Sequence, residues 1–202
     1  LADALQVSPG TVKKAIDNLV WEKRLYRHQG KGTFVSAIDF NNSLFRFTSY
    51  GDEQGDDARI RKETVVRERR KAKVEICDRL SIPHDSEEVY IERVGHVSGE
   101  PVLVEYSHWP ADKVSGLEDE VLHIPDLLYA LIVEQFGLPI VRAEETLLAG
   151  AAGKNTATRL EIEEGSPVLV LKRVTYTVNN QVVEARTSVG RSDKFSYKTE
   201  IR

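Results

Sequence analysis

Small and basic side chains cluster at the start of a helix that is predicted near the beginning of the chain. Ser8 is typical of a helix-capping residue, and Pro9 suits the first helical position because its φ angle is fixed. Apolar side chains then recur at helical spacing and predict a buried stripe at Val12, Ala15, Ile16 and Leu19. A shorter helix is predicted in front, with its apolar face at Leu1, Ala4 and Leu5. The exposed side chains at the helix start, the part of such a motif that enters a DNA major groove, then include Ser8, Thr11, Lys13 and Lys14.

Two short β-prone runs, residues 25–27 and 33–35, flank the sequence Gly30-Lys31-Gly32. They predict a hairpin with a basic tip, from which Lys31 could reach phosphate groups or the minor groove. An ordinary surface hairpin is the alternative for these residues taken alone. A helix-turn-helix pattern followed at this spacing by such a hairpin indicates a winged helix-turn-helix domain.

Three charged side chains stand inside β-prone runs that are otherwise apolar: Arg93, Glu105 and Glu184. A small-molecule site needs a concavity with a few convergent polar groups, so these residues are candidates for one. The alternation of side chains along a strand places Glu105 on one face with Leu103 and on the other face Val104. Arg93 lies on the facing arm of the same predicted hairpin, so its guanidinium is expected near Glu105. A cross-strand ion pair is the alternative explanation, and the residues alone favour it.

The elements that would position these residues alternate between strands and helices from residue 44 onwards. Strands are predicted at 60–70, 88–97, 101–109, 140–149, 168–178 and 182–189, and helices at 74–80, 125–136 and 156–160. The second and third of these strands form one hairpin, and the last two form another around a tight turn at Asn179-Asn180. Residues 36–43 are polar and aperiodic, which is typical of a linker. The pattern behind that linker predicts an α+β fold with a mostly antiparallel sheet.

The composition of the 202 residues, 41% hydrophobic and 30% charged, suits a soluble protein. No apolar run approaches the roughly 18 residues that span a membrane, and no secretion signal is evident. The single Cys77 cannot form an internal disulfide and suits a reducing cytoplasm, so a small core residue is expected there. The net charge of −4 is unevenly distributed, because residues 1–35 hold six Lys or Arg against three Asp or Glu. A basic end on an acidic body is typical of a protein with one DNA-facing module.

The stretch LADALQVSPGTVKKAIDNLVWEKRLYRHQGKGTFV resembles the winged helix of GntR-family regulators, and RHQGKGTFV is among its most specific parts. The resemblance implies that Thr11, Lys13 and Lys14 face DNA from the recognition helix. It implies the same role in the wing for Arg27, Gln29, Gly30 and Lys31. The family's first helix has no counterpart, and the chain contains no Met, so we expect its natural start to be missing.

From about residue 44 onwards the chain resembles the UTRA effector domain of the HutC branch of GntR regulators. The stretches that carry this likeness are YIERVGHVSGEPVLVEYSHWP, RLEIEEGSPVLVLKRVTYTVNNQVVEARTSVGRSDKF and SLFRFTSY. The resemblance implies a chorismate lyase-like fold that is used for sensing. The expected organisation is a partial winged helix-turn-helix domain at 1–35, a linker at 36–43 and a UTRA effector-binding domain at 44–202.

The same resemblance implies that Arg93, Glu105 and Glu184 line a ligand cleft. Arg93 would hold a phosphate or carboxylate, and the glutamates would accept hydrogen bonds from hydroxyl or amine groups. Members that sense phosphosugars often carry a second arginine two residues later, where this chain has Gly95, so a sugar phosphate is disfavoured. Further candidate effector contacts are Arg46, His96 and Tyr106. A solvated side chain is the alternative for Arg46, and core packing is the alternative for Tyr106.

These observations predict a cytoplasmic repressor that binds double-stranded operator DNA as a homodimer and responds to a small anionic effector. Effector binding would change the separation or orientation of the two winged helices. No cofactor is expected, and His84, His108 and His123 lack the spacing of a metal site. The first rival is an enzyme of chorismate lyase-like fold that acts on a small anionic substrate. The second rival is a winged-helix protein that binds another protein, which the basic hairpin tip disfavours.

Overall fold

The structure, a computed structural model, describes residues 2–21, 25–28, 32–35, 50–51, 57–58, 60–177 and 179–194. The chain divides into two compact units, Leu1–Ser43 and Leu44–Arg202, and each has its own architecture. No helix in the described segments has the length and apolar character needed to cross a membrane.

The first unit contains a helix and a hairpin. Helix α1 runs over Pro9–Trp21, and strand β1 (Leu25–His28) pairs antiparallel with β2 (Gly32–Val35). Ser8 caps α1, because its Oγ accepts a hydrogen bond of 3.1 Å from the backbone N–H of Thr11. The helix, its cap and the two strands therefore form at the positions that the sequence predicts.

Two details predicted for this unit are wrong. Residues 2–7 form a hydrogen-bonded turn, not a short helix, because two backbone bonds close it before a second helical turn can form. The N–H of Val7 bonds to the carbonyl of Ala2, and the N–H of Gln6, at a φ of 53°, bonds to Asp3, which is the pattern that ends a helix. Ala15 is exposed, since the partly buried side of α1 is rotated away from it and consists of Val12, Ile16, Asp17, Leu19 and Val20.

The second unit is built mainly from antiparallel strands. A short pair joins β3 (Tyr50–Gly51) to β4 (Asp57–Ala58). The main strands are β5 (Arg61–Lys71), β6 (Glu87–Val97), β7 (Glu100–Pro110), β8 (Ile140–Ala151), β9 (Pro167–Thr177) and β10 (Val182–Arg191). They form one six-stranded sheet in the order β5-β6-β7-β10-β9-β8. Both predicted hairpins are present, and they meet where β7 pairs with β10.

Within the described part of this unit, three helices accompany the sheet: α2 (Val74–Leu80), α3 (Leu128–Phe136) and α4 (Lys154–Leu160). α3 begins three residues after the predicted start at Pro125. The carbonyls of Pro125 and Asp126 accept hydrogen bonds from the side chain of Arg93 in the sheet. They are therefore not used as acceptors within a helix. α3 ends before Gly137, whose φ of 62° lies in the left-handed region that glycine adopts without strain.

The two faces of the sheet are covered by different elements, and each buries both apolar and charged side chains. The apolar face packs against α2 and α4, and its core includes Val94, Val104, Leu160, Val168 and Val189. The lone Cys77 of α2 is a fully buried core residue, as predicted. The polar face carries buried charged side chains beneath Pro125, Asp126 and the first turn of α3. The apolar face also buries Glu88 and Glu92, which pair with Arg70 and Arg159. The polar face holds the larger group of buried charges, so the candidate site is sought there.

Candidate functional site

Five charged side chains meet on the polar face and are called the charge cluster here: Lys62, Arg93, Glu105, Glu184 and Arg186. They come from strands β5, β6, β7 and β10, and each side chain is at most 6% exposed. Burial removes the water that would otherwise solvate these charges. Each charge therefore has to be matched by a neighbour inside the protein.

The strand register explains why these side chains meet. Arg93 is the cross-strand partner of Glu105, and Glu105 is that of Ser188, so all three share a face. Alternation along β10 places Arg186 and Glu184 on the same face as Ser188. The ion pair between Arg93 and Glu105 that the sequence suggests is present, with Nη2 and Oε2 3.0 Å apart, and it is buried.

Glu105 is the acceptor that all three cations of the cluster share. Its Oε2 accepts from Arg93, while its Oε1 lies 2.9 Å from Lys62 Nζ and 3.2 Å from Arg186 Nη1. Burial on its own would raise the pKa of this carboxyl. The three cations, Lys62 foremost, nevertheless hold the pKa of Glu105 well below its ordinary value. Glu105 is therefore ionised inside the sheet.

Glu184 is completely buried and joins the sheet to α3. Ser107 Oγ and Tyr129 OH donate to its two carboxylate oxygens, and Arg186 Nε donates at 2.7 Å. Trp109 Nε1 in turn donates to Ser107 Oγ at 2.8 Å. Burial raises the pKa of Tyr129, so its hydroxyl stays protonated as a donor. These contacts fix the position of α3 over the cluster.

Lys62 connects the charge cluster to a cleft of about 450 Å³. The cleft lies between the first half of β5 and residues 120–124, and Lys62 is part of its lining. Arg67, also in the lining, donates to the carbonyls of Asp119 and Leu122 and so attaches the opposite wall to the strand. Burial lowers the pKa of Lys62 to about 8, although the carboxylate of Glu105 opposes this effect. Lys62 therefore belongs both to the buried charge cluster and to the lining of the cleft.

One further effector candidate falls elsewhere. Tyr106 lies on the apolar face, where its hydroxyl is 2.8 Å from Thr156 Oγ1 and its ring packs against the core. This is the core-packing alternative, and it separates Tyr106 from Arg93 by the thickness of the sheet. Arg46 lies outside the described residues. Within the described segments, no group of three or more His, Cys, Asp or Glu side chains could hold a metal ion.

The position at which the resemblance expects a second arginine is closed by a neighbouring side chain. A Cβ on Gly95 would lie 2.8 Å from Ile60 Cγ2 and 3.3 Å from Leu103 Cβ. A longer residue there would displace Ile60, which is itself buried. His96, the next residue of β6, is half-buried beside a bulge and pairs with Arg61, outside the charge cluster.

The first unit exposes the predicted DNA-facing side chains of α1: Ser8, Thr11, Lys13 and Lys14. The hydroxyls of Ser8 and Thr11 are 2.9 Å apart, so both take part in the cap at the helix start. Arg27 forms an ion pair with Asp17 that ties β1 to α1, a contact that no sequence pattern indicated. The remaining wing candidates lie outside the described residues: Gln29, Gly30 and Lys31.

Comparison with known proteins decides the family. Residues 55–196 match the UTRA domain family. The chain is 31% identical over 197 residues to the "HTH-type transcriptional repressor NagR" of Bacillus subtilis (strain 168), covering 97% of this chain and 80% of that protein. The ligand-binding domain of a GntR-family transcriptional regulator from Bordetella bronchiseptica superposes with a TM-score of 0.70 and 28% identity, covering 75% of this chain and 94% of that one. The chain belongs to the GntR family of transcriptional regulators and carries a UTRA domain.

A second relative supports the same assignment. The chain is 30% identical over 199 residues to the "Probable fructoselysine utilization operon transcriptional repressor" of Escherichia coli (strain K12), covering 97% of this chain and 80% of that protein. The α+β fold and the family that the sequence predicts are thus confirmed. All five members of the charge cluster lie within the matched UTRA domain.

The charge cluster gives the UTRA domain a buried surplus of positive charge, because three cations face two carboxylates. Asp126, which is half-buried, stands at its margin, and its carboxylate accepts a hydrogen bond of 2.8 Å from the backbone N–H of Lys62. The neighbouring ion pair of Arg173 with Glu145 balances its own charge. A bound anion beside Lys62 would reduce the cost of this surplus.

Three members of this arrangement were missed by reasoning from the sequence: Lys62, Arg186 and Tyr129. Arg186 carried a usable signal, because it follows Glu184 by two residues in the same apolar run and so shares its face. Lys62 carried none, since eight of the eleven residues of β5 are charged and none of them stands out. Tyr129 is recruited by the tertiary packing of α3, which no local pattern encodes.

Proposed function

We propose that this chain represses transcription by binding operator DNA through its first unit, and that a small anionic metabolite bound in the UTRA domain controls its operator affinity. One observation carries the effector half of the proposal: Lys62, a member of the buried charge cluster in which three cations face two carboxylates, also lines a cleft. We also propose that the domain senses this metabolite in the cytoplasm without converting it, because the relatives of the chain are transcriptional regulators.

The cleft suits a carboxylate or a phosphate. Lys62 has N–H donors beyond the one that it gives to Glu105, and an ammonium with a lowered pKa gains strongly from a nearby negative charge. Arg93 donates to the carboxylate of Glu105, to which Lys62 also donates. Since few water molecules reach these groups, each contact with an anion is stronger than at an exposed site. Hydroxyl or amine groups of the metabolite could donate to Glu105.

The same contacts offer a route by which binding is felt outside the cleft. Arg67 holds the carbonyls of Asp119 and Leu122, while Arg93 holds those of Pro125 and Asp126. Residues 119–126 are therefore attached to the polar face at both ends. A ligand that alters these bonds would move this segment. By thermodynamic linkage, a ligand that weakens DNA binding must itself be weakened by DNA to the same degree.

The DNA half of the proposal assigns contacts to both parts of the winged helix-turn-helix. The recognition helix would supply Ser8, Thr11, Lys13 and Lys14, and the wing would supply Arg27, Gln29, Gly30 and Lys31. Two copies of the chain would bind the two halves of a pseudo-palindromic operator. Because lysine and arginine release counterions from the phosphates, affinity should fall as salt rises.

Fluorescence anisotropy with labelled fragments of the chain's own promoter region tests the DNA half. Wild-type protein should bind at least one fragment, and each of Lys13→Ala and Lys14→Ala should lower the slope of log affinity against log salt by about 1. Lys73→Ala, at an exposed site of the second unit, is the matched control and should leave both affinity and slope unchanged. Failure of the wild-type protein to bind any fragment at low salt would refute the proposal.

The effector half needs a ligand panel, for which inorganic phosphate and fructoselysine are suitable probes. Fructoselysine appears in the name of one relative and combines a carboxylate with amine and hydroxyl groups. An active probe should change the DNA affinity of wild-type protein and not that of Lys62→Met. Mass spectrometry should recover the probe unchanged after incubation. A converted product would support the enzyme alternative instead.

A further inference from the structure

Asp17 is the only acidic residue of helix α1, and it lies on the side of the helix that carries the predicted DNA contacts. Side chains three and four positions apart are neighbours on a helix surface, so Asp17 lies beside both Lys14 and Lys13. Its side chain is 44% exposed. A negative charge at this place would repel the phosphates of DNA and oppose both lysines. The position therefore raises the question of what the carboxylate does there.

The partner of Asp17 belongs to the hairpin that the sequence predicts to be the wing. Oδ1 of Asp17 accepts a hydrogen bond from Nη2 of Arg27, and the two side chains form an ion pair. Arg27 lies in β1, which packs against α1 and pairs with β2. The basic tip at Lys31 follows Arg27 by four residues. The ion pair thus links the predicted recognition helix to the predicted wing.

The ion pair leaves most of the guanidinium of Arg27 available for DNA. The hydrogen bond to Asp17 uses one of its five N–H donors, and the others can still reach a phosphate. A guanidinium that is already held by a carboxylate has less side-chain freedom to lose when it binds. Because the Arg27 and Asp17 side chains are 48% and 44% exposed, their ion pair contributes little to folding stability. Its placement on the DNA-facing side is the more informative feature.

We propose that Asp17 is a positioning residue for DNA binding: its carboxylate orients the guanidinium of Arg27 and holds the wing against the recognition helix. The inference rests on the proposed function, in which Arg27 contacts DNA. It goes further by giving an acidic residue of the DNA-binding surface a favourable role. The negative charge on its own predicts the opposite effect, so the two explanations differ in sign.

Fluorescence anisotropy with promoter fragments at one fixed salt concentration tests this sign. Asp17→Ala should weaken DNA binding, by up to about fivefold if the pair contributes as much as exposed ion pairs do. If Asp17 were only a charge near the phosphates, the same substitution would strengthen binding. Asp3→Ala is the matched control, because Asp3 is an exposed acidic residue of the same unit, and it should not weaken binding. Unchanged or tighter binding by Asp17→Ala would overturn the proposal.

A double-mutant cycle shows whether Asp17 acts through Arg27. Arg27→Ala should weaken DNA binding as well, and Asp17→Ala should cause no further loss in that background. Without Arg27 the carboxylate has no guanidinium to orient, so removing it should leave the affinity equal or raise it. If Asp17→Ala caused the same loss with and without Arg27, Asp17 would act by another route and the proposal would fall.

Amide hydrogen exchange in the DNA-free full chain tests the positioning without DNA. The amides of β1 and β2 should exchange faster in Asp17→Ala and in Arg27→Ala than in wild type, whereas Asp3→Ala should leave their rates unchanged. Wild-type rates in Asp17→Ala would contradict a role in holding the hairpin. The two proposals can fail separately: faster exchange in a protein that binds no promoter fragment would refute the proposed function and leave the link between α1 and the hairpin standing.

Discussion

Lys62→Met measures what the buried ammonium costs the folded protein. The Lys62 side chain is 6% exposed, and its pKa falls from 10.5 to about 8 on burial. Methionine has a similar unbranched shape and carries no charge. Between pH 8 and 10.5 the unfolded chain holds this proton while the folded chain has lost it. The free energy of unfolding therefore rises with pH across this window, and below pH 8 the full cost is present.

The expected magnitude follows from the same two pKa values. Each pH unit of the window is equivalent to about 1.4 kcal/mol, so the interval from 8 to 10.5 corresponds to about 3 kcal/mol. Other lysines and the tyrosines also titrate in this range, but they do so in wild type and variant alike. The difference in unfolding free energy between the two proteins isolates Lys62.

Urea unfolding, followed by the fluorescence of the buried Trp109, provides the measurement. From about pH 7 to about pH 10, wild-type protein should gain most of those 3 kcal/mol relative to Lys62→Met. Lys73→Met, at an exposed position, should show no such trend. If the difference between wild type and Lys62→Met did not change with pH, Lys62 would not carry the proton-linked cost on which the effector site depends.

Two further substitutions test the interior of the sheet. Glu105→Gln leaves three buried cations facing Glu184 alone and should lower the free energy of unfolding by about 3–5 kcal/mol. Glu63→Gln, exposed on β5, should change it by less than about 0.5 kcal/mol; similar losses for both would remove the special role of Glu105. Gly95→Ala should cost about 1–3 kcal/mol by overpacking against Ile60. The cost should shrink in an Ile60→Ala background, and additive losses in that double-mutant cycle would argue against the contact.

Much of the fold could be predicted because the relevant signals are local. Alternating apolar residues on either side of a turn predict the hairpin of β6 with β7 and that of β9 with β10. The cap at Ser8 and the end of α3 at Gly137 are single-residue signals of the same kind. The pairing of β7 with β10 joins residues about 80 apart, and no local pattern specifies it.

Those parts of the site that follow from the alternation of side chains along a strand could be predicted. Arg93 and Glu105 were expected to meet because they face one another in one hairpin, and they do. Lys62 joins the charge cluster through the pairing of β5 with β6, in which it lies opposite Gly95. Because most residues of β5 are charged, the sequence does not distinguish Lys62 from its neighbours. The start of α3 was placed too early because a proline often opens a helix, whereas here Arg93 takes the nearby carbonyls. A side chain distant in sequence thus overrides a local preference.

The guanidinium of Arg93 is a group at which a ligand could replace backbone carbonyls as hydrogen-bond acceptor. Nη1 gives one hydrogen bond of 3.0 Å to the oxygen of Pro125 and one of 3.4 Å to that of Asp126, which uses both of its protons. A ligand that accepts hydrogen bonds from Nη1 would have to displace these two carbonyls. The released segment lies two residues before Leu128, where α3 begins. Ligand binding at Nη1 and release of residues 125–126 would then occur together, because the ligand and the two backbone carbonyls compete for the same donors.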